Sequence, residues 1–372
     1  MTPHHHIVVL GGGYTGLAAA KLAARRTNAA VTLVNARDRF VERVRLHQLA
    51  SGQRLRDLPL SQLLAGTGVR LVVDRVTRID LAARAVHLAG AAAPLAYDTL
   101  VYALGSQADP HSVAGVAEHA HSVTTAEDAD RLRERLATSG SVAVVGGGLT
   151  GLEAAAELAE SRPELTVSLV TGGALGDGLS RRGRQHLRRT FDRLGVTVRE
   201  HATVTEVRAD GPVLAGGDHL AADTVVWATG FRVPDLARDA GLAVDEHGRM
   251  LVDETLRSVS HPEVYGVGDA AAARRQDGQE LRMACATGLP CAYAAARAIS
   301  DRLAGRQPRP LRFRYLMRCV SLGRGNGLIQ FVRADDVPVE AVLTGRLAAR
   351  YKEAVVRSTI LAERHPALIG VL

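Results

Sequence analysis

Six glycines set twice in one spacing are the residues of this chain whose chemistry is easiest to name. Gly11, Gly13 and Gly16 lie in H-I-V-V-L-G-G-G-Y-T-G-L-A-A-A, residues 6–20. Gly146, Gly148 and Gly151 lie in S-V-A-V-V-G-G-G-L-T-G-L-E-A-A-A, residues 141–156. Each copy reads as a short β-branched strand, a G-x-G-x-x-G turn and an Ala-rich helix start. The first glycine makes the tight turn, the second lets the backbone approach a pyrophosphate, and the third lets the helix pack closely on the strand. The phosphates then meet the unpaired N–H groups and the positive end of the helix dipole. A further strand follows each copy, at 31–34 and at 167–170, as a βαβ unit requires. Two complete copies predict two dinucleotide sites.

The residue that ends the second strand of such a unit usually grips a ribose through a carboxylate. Here it is Asn35 in the first copy and Thr171 in the second. Asn35 can still accept a ribose hydroxyl. Thr171 removes the acid that repels a 2′-phosphate, and Arg181 and Arg182 follow ten residues on, either as phosphate ligands or as an exposed helix start. NADH and NADPH therefore both remain open. Glu153 falls two residues after Gly151, in the first turn of the expected helix, where a carboxylate is favoured by the dipole. Cys285 and Cys291 are six apart with Pro290 between them, which interrupts a helix and suits small core residues better than a redox pair. Trp227 sits in an apolar strand and reads as core. No His, Cys or Asp cluster has the spacing of a metal site.

These turns need a frame to hold them. A chain of 372 residues is long enough for two or three domains, and 47% hydrophobic with 23% charged residues is an ordinary globular mix. Only 3% of residues are aromatic, which argues against a base-stacking or sugar-binding surface. The formal net charge is +7, and residues 302–372 hold thirteen Arg/Lys against five Asp/Glu, so the excess lies in the last fifth. That suits an anionic membrane or a phosphorylated ligand, or is a solvated surface. No nucleic-acid motif accompanies it. Three cysteines do not make a disulfide framework, no signal peptide is read at the N-terminus and no stretch reaches 18 apolar residues. A cytoplasmic protein is expected. Val339, Val342, Leu343, Leu347, Tyr351, Val355 and Ile360 recur at helical spacing, with Arg346, Arg350, Lys352 and Arg357 among them. Such a helix either lies on an anionic membrane or packs on the rest of the protein or a dimer partner.

Three further segments carry a family resemblance: Y-D-T-L-V-Y-A-L-G-S (97–106), A-D-T-V-V-W-A-T-G-F (222–231) and H-P-E-V-Y-G-V-G-D-A-A (261–271). With the two glycine turns they resemble the two-dinucleotide-domain flavoprotein reductases over about residues 6–300. Within these the chain is most similar to type II NADH dehydrogenases, through Glu153, through R-F-V-E-R-V-R-L-H-Q-L-A-S-G (39–52) and through residues 343–360. The Ala-Gln…Gln-Gly stretch of those enzymes is replaced by a helix with Cys285, Thr287, Pro290 and Cys291.

The resemblance implies two Rossmann-like α/β dinucleotide-binding domains, the NAD(P) domain (109–251) inserted in the FAD domain (1–108 and 252–304). A small C-terminal α+β region (305–372) follows, with strands near 311–320 and 328–332. It implies FAD on Gly11, Gly13, Tyr14, Thr15, Gly16 and Asn35, closed over by Ala103, Gly105, Gly268 and Asp269, with Asp269 on the ribityl chain. It implies NADH or NADPH on Gly146, Gly148, Leu149, Thr150, Gly151, Thr171 and Gly230. Glu153 would orient nicotinamide or relay a proton, His47 would lie on a loop facing the flavin, and Cys285, Ala286 and Thr287 would flank the acceptor. Hydride would pass from NAD(P)H to flavin, and two electrons onward to a quinone. A ferredoxin-type protein acceptor, thiol or sulfide chemistry and a non-enzymatic redox sensor are the alternatives. Peripheral attachment to the cytoplasmic face of the membrane and a homodimer are further options.

Overall fold

The computed structural model describes residues 5–364, the side chain of Cys285 excepted. The final residues of the expected C-terminal region, 365–372, lie outside the described residues. Two five-stranded parallel sheets organise the chain. The first runs Val264–Gly266, Thr99–Tyr102, His6–Leu10, Ala30–Asn35, Arg70–Val73. The second runs Thr197–Arg199, Thr166–Val170, Ser141–Val145, Thr224–Trp227, Ala120–His121. Their inner strands are nearly continuous apolar runs because helices cover both faces. The expected α/β class with Rossmann-like sheets is what the structure shows, and Trp227 is buried in the second sheet as read.

In each sheet the strand that carries the glycine turn is central, and the strand order reverses beside it. That places the turn at the crevice where such folds bind ligands. Helix α1 (Tyr14–Arg26) follows the first turn. Leu17, Ala18, Ala19 and Ala20 are all buried because the helix is covered by the sheet on one side and by a later helix on the other, the alanines keeping its axis close. A Cβ on Gly16 would overlap the Gly11 carbonyl oxygen, so only glycine lets this helix start so near its own strand. Short helix α2 (Leu46–Ala50) leaves the first sheet and packs toward the second half of the chain. Helix α3 (Leu149–Ser161) follows the second turn, and Gly151 stands to Gly146 as Gly16 does to Gly11. Helix α4 (Arg181–Leu194) precedes the second sheet's edge strand.

Helix α5 (Cys285–Leu303) returns to the first sheet, with Ala292, Ala295 and Ala298 in the same apolar cluster as the α1 face. Pro290 does not interrupt it, contrary to the sequence expectation. Proline in the second turn removes one bond to an early carbonyl, and the packing on α1 holds the helix through it.

The C-terminal region is a three-stranded antiparallel sheet followed by α6 (Gly345–Arg364). Two strands, Met317–Ser321 and Gly327–Val332, correspond to the expected pair. A third, Pro338–Thr344, takes the place of the expected start of the helix. Val339 and Leu343 are four residues apart, and that spacing returns to the same face in a strand as well as in a helix. Gly345, at φ 71°, supplies the left-handed residue at which strand gives way to helix. The far end of α6 is anchored by buried Lys21 of α1, whose ammonium donates to the carbonyls of Glu363 at 2.5 Å and Leu63 at 2.7 Å.

Replacing Gly16 by Ala forces the Gly11 turn open and is expected to cost about 3 kcal/mol. Chemical denaturation of the purified variant checks this; an unchanged midpoint would show that the helix can back away from its strand.

Candidate active site

The two glycine turns are built alike in three dimensions. Gly11 (φ 99°) and Gly146 (φ 126°) take the left-handed turn directly after their strands. Gly13 and Gly148 are exposed N-caps with extended backbone, and no side chain caps α1 or α3. A Cβ at either position would meet no protein atom within 4 Å. Both turns therefore present free helix N–H groups to open space, the arrangement a pyrophosphate needs. This fits one dinucleotide on each turn.

Asn35 and Thr171 have a task the sequence did not disclose. The Gly12 N–H donates to Asn35 Oδ1 at 2.8 Å, and Asn35 Nδ2 donates to the Arg37 carbonyl at 2.8 Å. Asn35 is thereby locked into the turn. Thr171 is buried, and a Cβ on Gly147 would overlap its Oγ1. Thr171 leaves no room for a side chain at Gly147, whereas at Gly12 a Cβ would make a tight contact of 3.0 Å with Asn35 Cγ. Arg181 and Arg182 open α4 as exposed residues, their backbone N–H groups on the Glu340 carboxylate.

Around the first turn, Thr15 brings distant segments together. Its Oγ1 would be struck by a Cβ on Gly268 (2.8 Å) or on Gly288 (2.7 Å), so α1, the Gly268–Asp269 turn and α5 converge on it. Asp269 Oδ2 accepts from Ser106 Oγ at 2.7 Å. Ser106 Oγ accepts from Arg43 Nη2 at 3.0 Å, and Arg43 Nη1 lies 3.7 Å from Asp269 Oδ2. The same guanidinium faces the Phe231 ring, 5.9 Å from its centroid, just after Gly230. Arg43 thus joins the Asp269 end of the first sheet to the second half of the chain. The sequence reading missed Arg43 and Ser106. Their signal was position alone, inside 39–52 and at the end of 97–106.

The acceptor-side residues separate. Ala286 is exposed, whereas Thr287 is buried, its hydroxyl turned back onto the carbonyls of Ala284 (2.7 Å) and Arg282 (3.0 Å). The side chain of Cys285 lies outside the described residues. Cys291 is buried beneath the Gly268 turn, and burial pushes its thiol up to about 12, against thiolate chemistry.

Glu153 and His47 are placed differently from expectation. Glu153 is the fifth residue of α3, beyond the first turn, and its carboxylate serves a tertiary partner rather than the helix end. Its Oε1 accepts the Ser321 N–H at 2.9 Å and pairs with the Lys352 ammonium of α6. Burial, with the Arg45 guanidinium nearby, pushes Lys352 down to about 7. His47 stands on α2, buried, with its ring toward Glu157 of α3, not on an open loop. Burial and the charges of Lys352, Arg324 and Arg45 push its imidazolium well below the usual range, so the ring is neutral. Lys352 and Glu157 were invisible as site residues because their partners lie far away in sequence.

The family model described as pyridine nucleotide-disulphide oxidoreductase matches residues 5–297. The chain belongs to this family. It is an oxidoreductase that uses FAD and a pyridine nucleotide. Among relatives, an NADH dehydrogenase-like protein of Mycobacterium tuberculosis is 32% identical over 79% of this chain and 80% of its own. A demethylphylloquinone reductase of Synechocystis is 27% identical over 93% of this chain and 91% of its own. The sulfide:quinone oxidoreductase structure from Aquifex aeolicus agrees in fold, with a TM-score of 0.82 at 21% identity over 97% of this chain and 91% of that one.

Because Gly13 and Gly148 face open space with ordinary backbone angles, Val at either position should leave folding within about 1 kcal/mol. Gly13→Val is expected to purify without flavin, and Gly148→Val to keep flavin but raise the KM for nucleotide about tenfold or more. Flavin content and steady-state kinetics report both; full flavin and unchanged KM would remove the turns from cofactor binding.

Proposed function

We propose that this protein oxidises NADH and reduces a quinone. The first sheet and its partner segments hold FAD on the Gly11 turn, with Asn35, Ala103, Gly105, Gly268 and Asp269 around it. The second sheet holds the nucleotide on the Gly146 turn, with Leu149, Thr150, Thr171 and Gly230. When bound, FAD supplies the two-electron chemistry that links hydride donor to acceptor. Arg43, fixed by Ser106 and Asp269, sets a positive charge where the two halves meet.

The observation that carries the choice of acceptor is the Glu153–Lys352 pair. It is nearly buried, one helical turn past the nucleotide turn, and its ammonium releases a proton near neutrality. A quinone takes protons with its electrons, so a poised donor is useful there. A ferredoxin-type acceptor takes electrons alone. NADH is preferred to NADPH because the relative of highest identity reported above is NADH dehydrogenase-like.

The outer face of α6 supports access to a membrane-dissolved quinone. Leu347, Tyr351 and Leu361 are exposed along it, beside exposed Arg346, Arg350, Arg357 and Arg364. Among the described residues no helix is long and apolar enough to cross a membrane. An apolar stripe edged by arginines instead suits the surface of an anionic bilayer.

Rapid mixing under anaerobic conditions tests the reading. NADH should bleach the flavin faster than NADPH, and a short-chain quinone should restore it faster than a ferredoxin does. The quinone step needs protonated Lys352, so its rate should fall as pH rises through about 7. Lys352→Met should remove that dependence. A ferredoxin-preferring, pH-independent wild type would reverse the assignment.

Vesicles of anionic phospholipid should pull the protein down in low salt, and neutral ones should not. Leu347→Glu combined with Arg350→Glu is expected to abolish co-sedimentation while NADH:ferricyanide activity stays within about twofold. Undiminished binding of the double variant would rule out this face.

A further inference from the structure

Two titratable side chains beyond the Glu153–Lys352 pair face each other in the interior. His47 Nε2 and Glu157 Oε2 lie 4.0 Å apart, both buried, and neither has a hydrogen-bond partner among the described residues. Buried polar atoms without partners cost about 1–3 kcal/mol each, and folded proteins keep few of them. Here two stand opposite one another, about 1 Å beyond hydrogen-bonding distance.

The surroundings give the pair two distinct ends. Glu157 lies one turn after Glu153 on α3, so both acids share a face. Its other oxygen, Oε1, accepts from Gln53 and from Ser161 Oγ at 3.2 Å. Arg324, whose side chain is 42% exposed, reaches Oε2 with Nε at 3.5 Å. Glu157 is itself fully buried, and its route to solvent runs through Arg324. His47 faces it from α2, and Lys352 is the charge that acts most strongly on its ring.

We propose that Glu157 and His47 form a proton-entry route that recharges the Lys352–Glu153 pair. The proposal rests on the quinone reading above. NADH delivers a hydride, which is two electrons and one proton, whereas reducing a quinone to a quinol consumes two electrons and two protons. One proton per turnover must come from solvent. Glu157 gives its proton to His47 Nε2 when side-chain motion closes the gap. The imidazolium so formed returns a proton to Lys352 once that ammonium has given its own to the acceptor. Glu157 is reprotonated at the Arg324–Gln53 rim.

The charge balance suits this direction. Burial, partly offset by Arg324 and by the bonds from Gln53 and Ser161, raises the Glu157 carboxyl and so shifts it toward the protonated form. Glu160 on the same helix adds to that rise. On the receiving side, burial first, and then the charges of Lys352 of α6, Arg324 of the sheet loop and Arg45 of the α2 segment, keep the imidazole neutral, and it accepts most readily when Lys352 has lost its charge. His47 and Glu157 act through Lys352 and are positioning residues for the proton step.

The test uses the holoenzyme, reduced anaerobically with NADH and then mixed with either a short-chain quinone or ferricyanide, which takes electrons without protons. Wild type, Glu157→Gln, Glu157→Asp and His47→Gln are compared from about pH 6 to about pH 8. The Gln variants should slow reoxidation by quinone about tenfold or more and displace its pH profile, with the ferricyanide rate unchanged. Glu157→Asp should recover most of the loss. Equal slowing with both acceptors would reduce the pair to a structural role and overturn the proposal. A wild type that quinone reoxidises, with both Gln variants indistinguishable from it, overturns the proposal alone. A wild type that ferricyanide reoxidises and quinone does not overturns the acceptor reading and this proposal with it.

Discussion

Both halves of the molecule depend on a helix starting almost on top of the strand that feeds it. The Gly11 carbonyl occupies the place where a Cβ of Gly16 would stand, and Gly146 and Gly151 repeat the contact. That closeness aims the first N–H groups of α1 and α3 across the ends of their sheets rather than past them. It also fixes what the next residues can be. Asn35 and Thr171 crowd the turn from the neighbouring strand, so Gly147 follows from packing, and the outward glycines are left free for phosphate.

A second constraint joins these halves to the C-terminal region. Helix α3 presents Glu153, Glu157 and Glu160 in one row. The row meets the loop that follows Met317–Ser321: Glu153 takes the Ser321 N–H, Glu157 faces Arg324, and Glu160 takes the Arg324 N–H. Gly323 (φ 91°) takes the left-handed turn that lays this loop against the Glu160 carboxylate. From the other direction, Arg45 binds Glu353 of α6 through two bonds of 2.8 and 2.9 Å. Such fork-to-carboxylate pairs fix orientation as well as position. The acids that hold the module in place are thus the same groups that can carry protons, and placing the module also sets the charge environment of the site.

The glycine turns, their strands and the α/β class were legible in the sequence because every requirement there is local: a β-branched run, a turn and small residues on the next helix. Asp269 was legible through its Gly-Asp context, although its bond to Ser106 and the approach of Arg43 were not. The proton-bearing cluster was half visible. Glu153 and His47 drew notice by position, but Lys352 is 199 residues from Glu153 and Glu157 is 110 from His47, and no periodicity reports such pairings. The third strand of the C-terminal sheet was misread for a different reason. A spacing of four fits both helix and strand, and only its neighbour Gly327–Val332 decides between them.

Lys21 gives the architecture a thermodynamic unity. Its ammonium sits in the first helix of the chain and grips carbonyls at the end of the last described one, while α6 meets α3 through Lys352 at its middle. Three parts that look like separate folding units are stitched by one twenty-residue helix. Melting of any one of them strips partners from the other two, so the molecule has little means of fraying lobe by lobe. Shortening the chain ahead of α6 would remove the partners of Lys21 and Glu153 together.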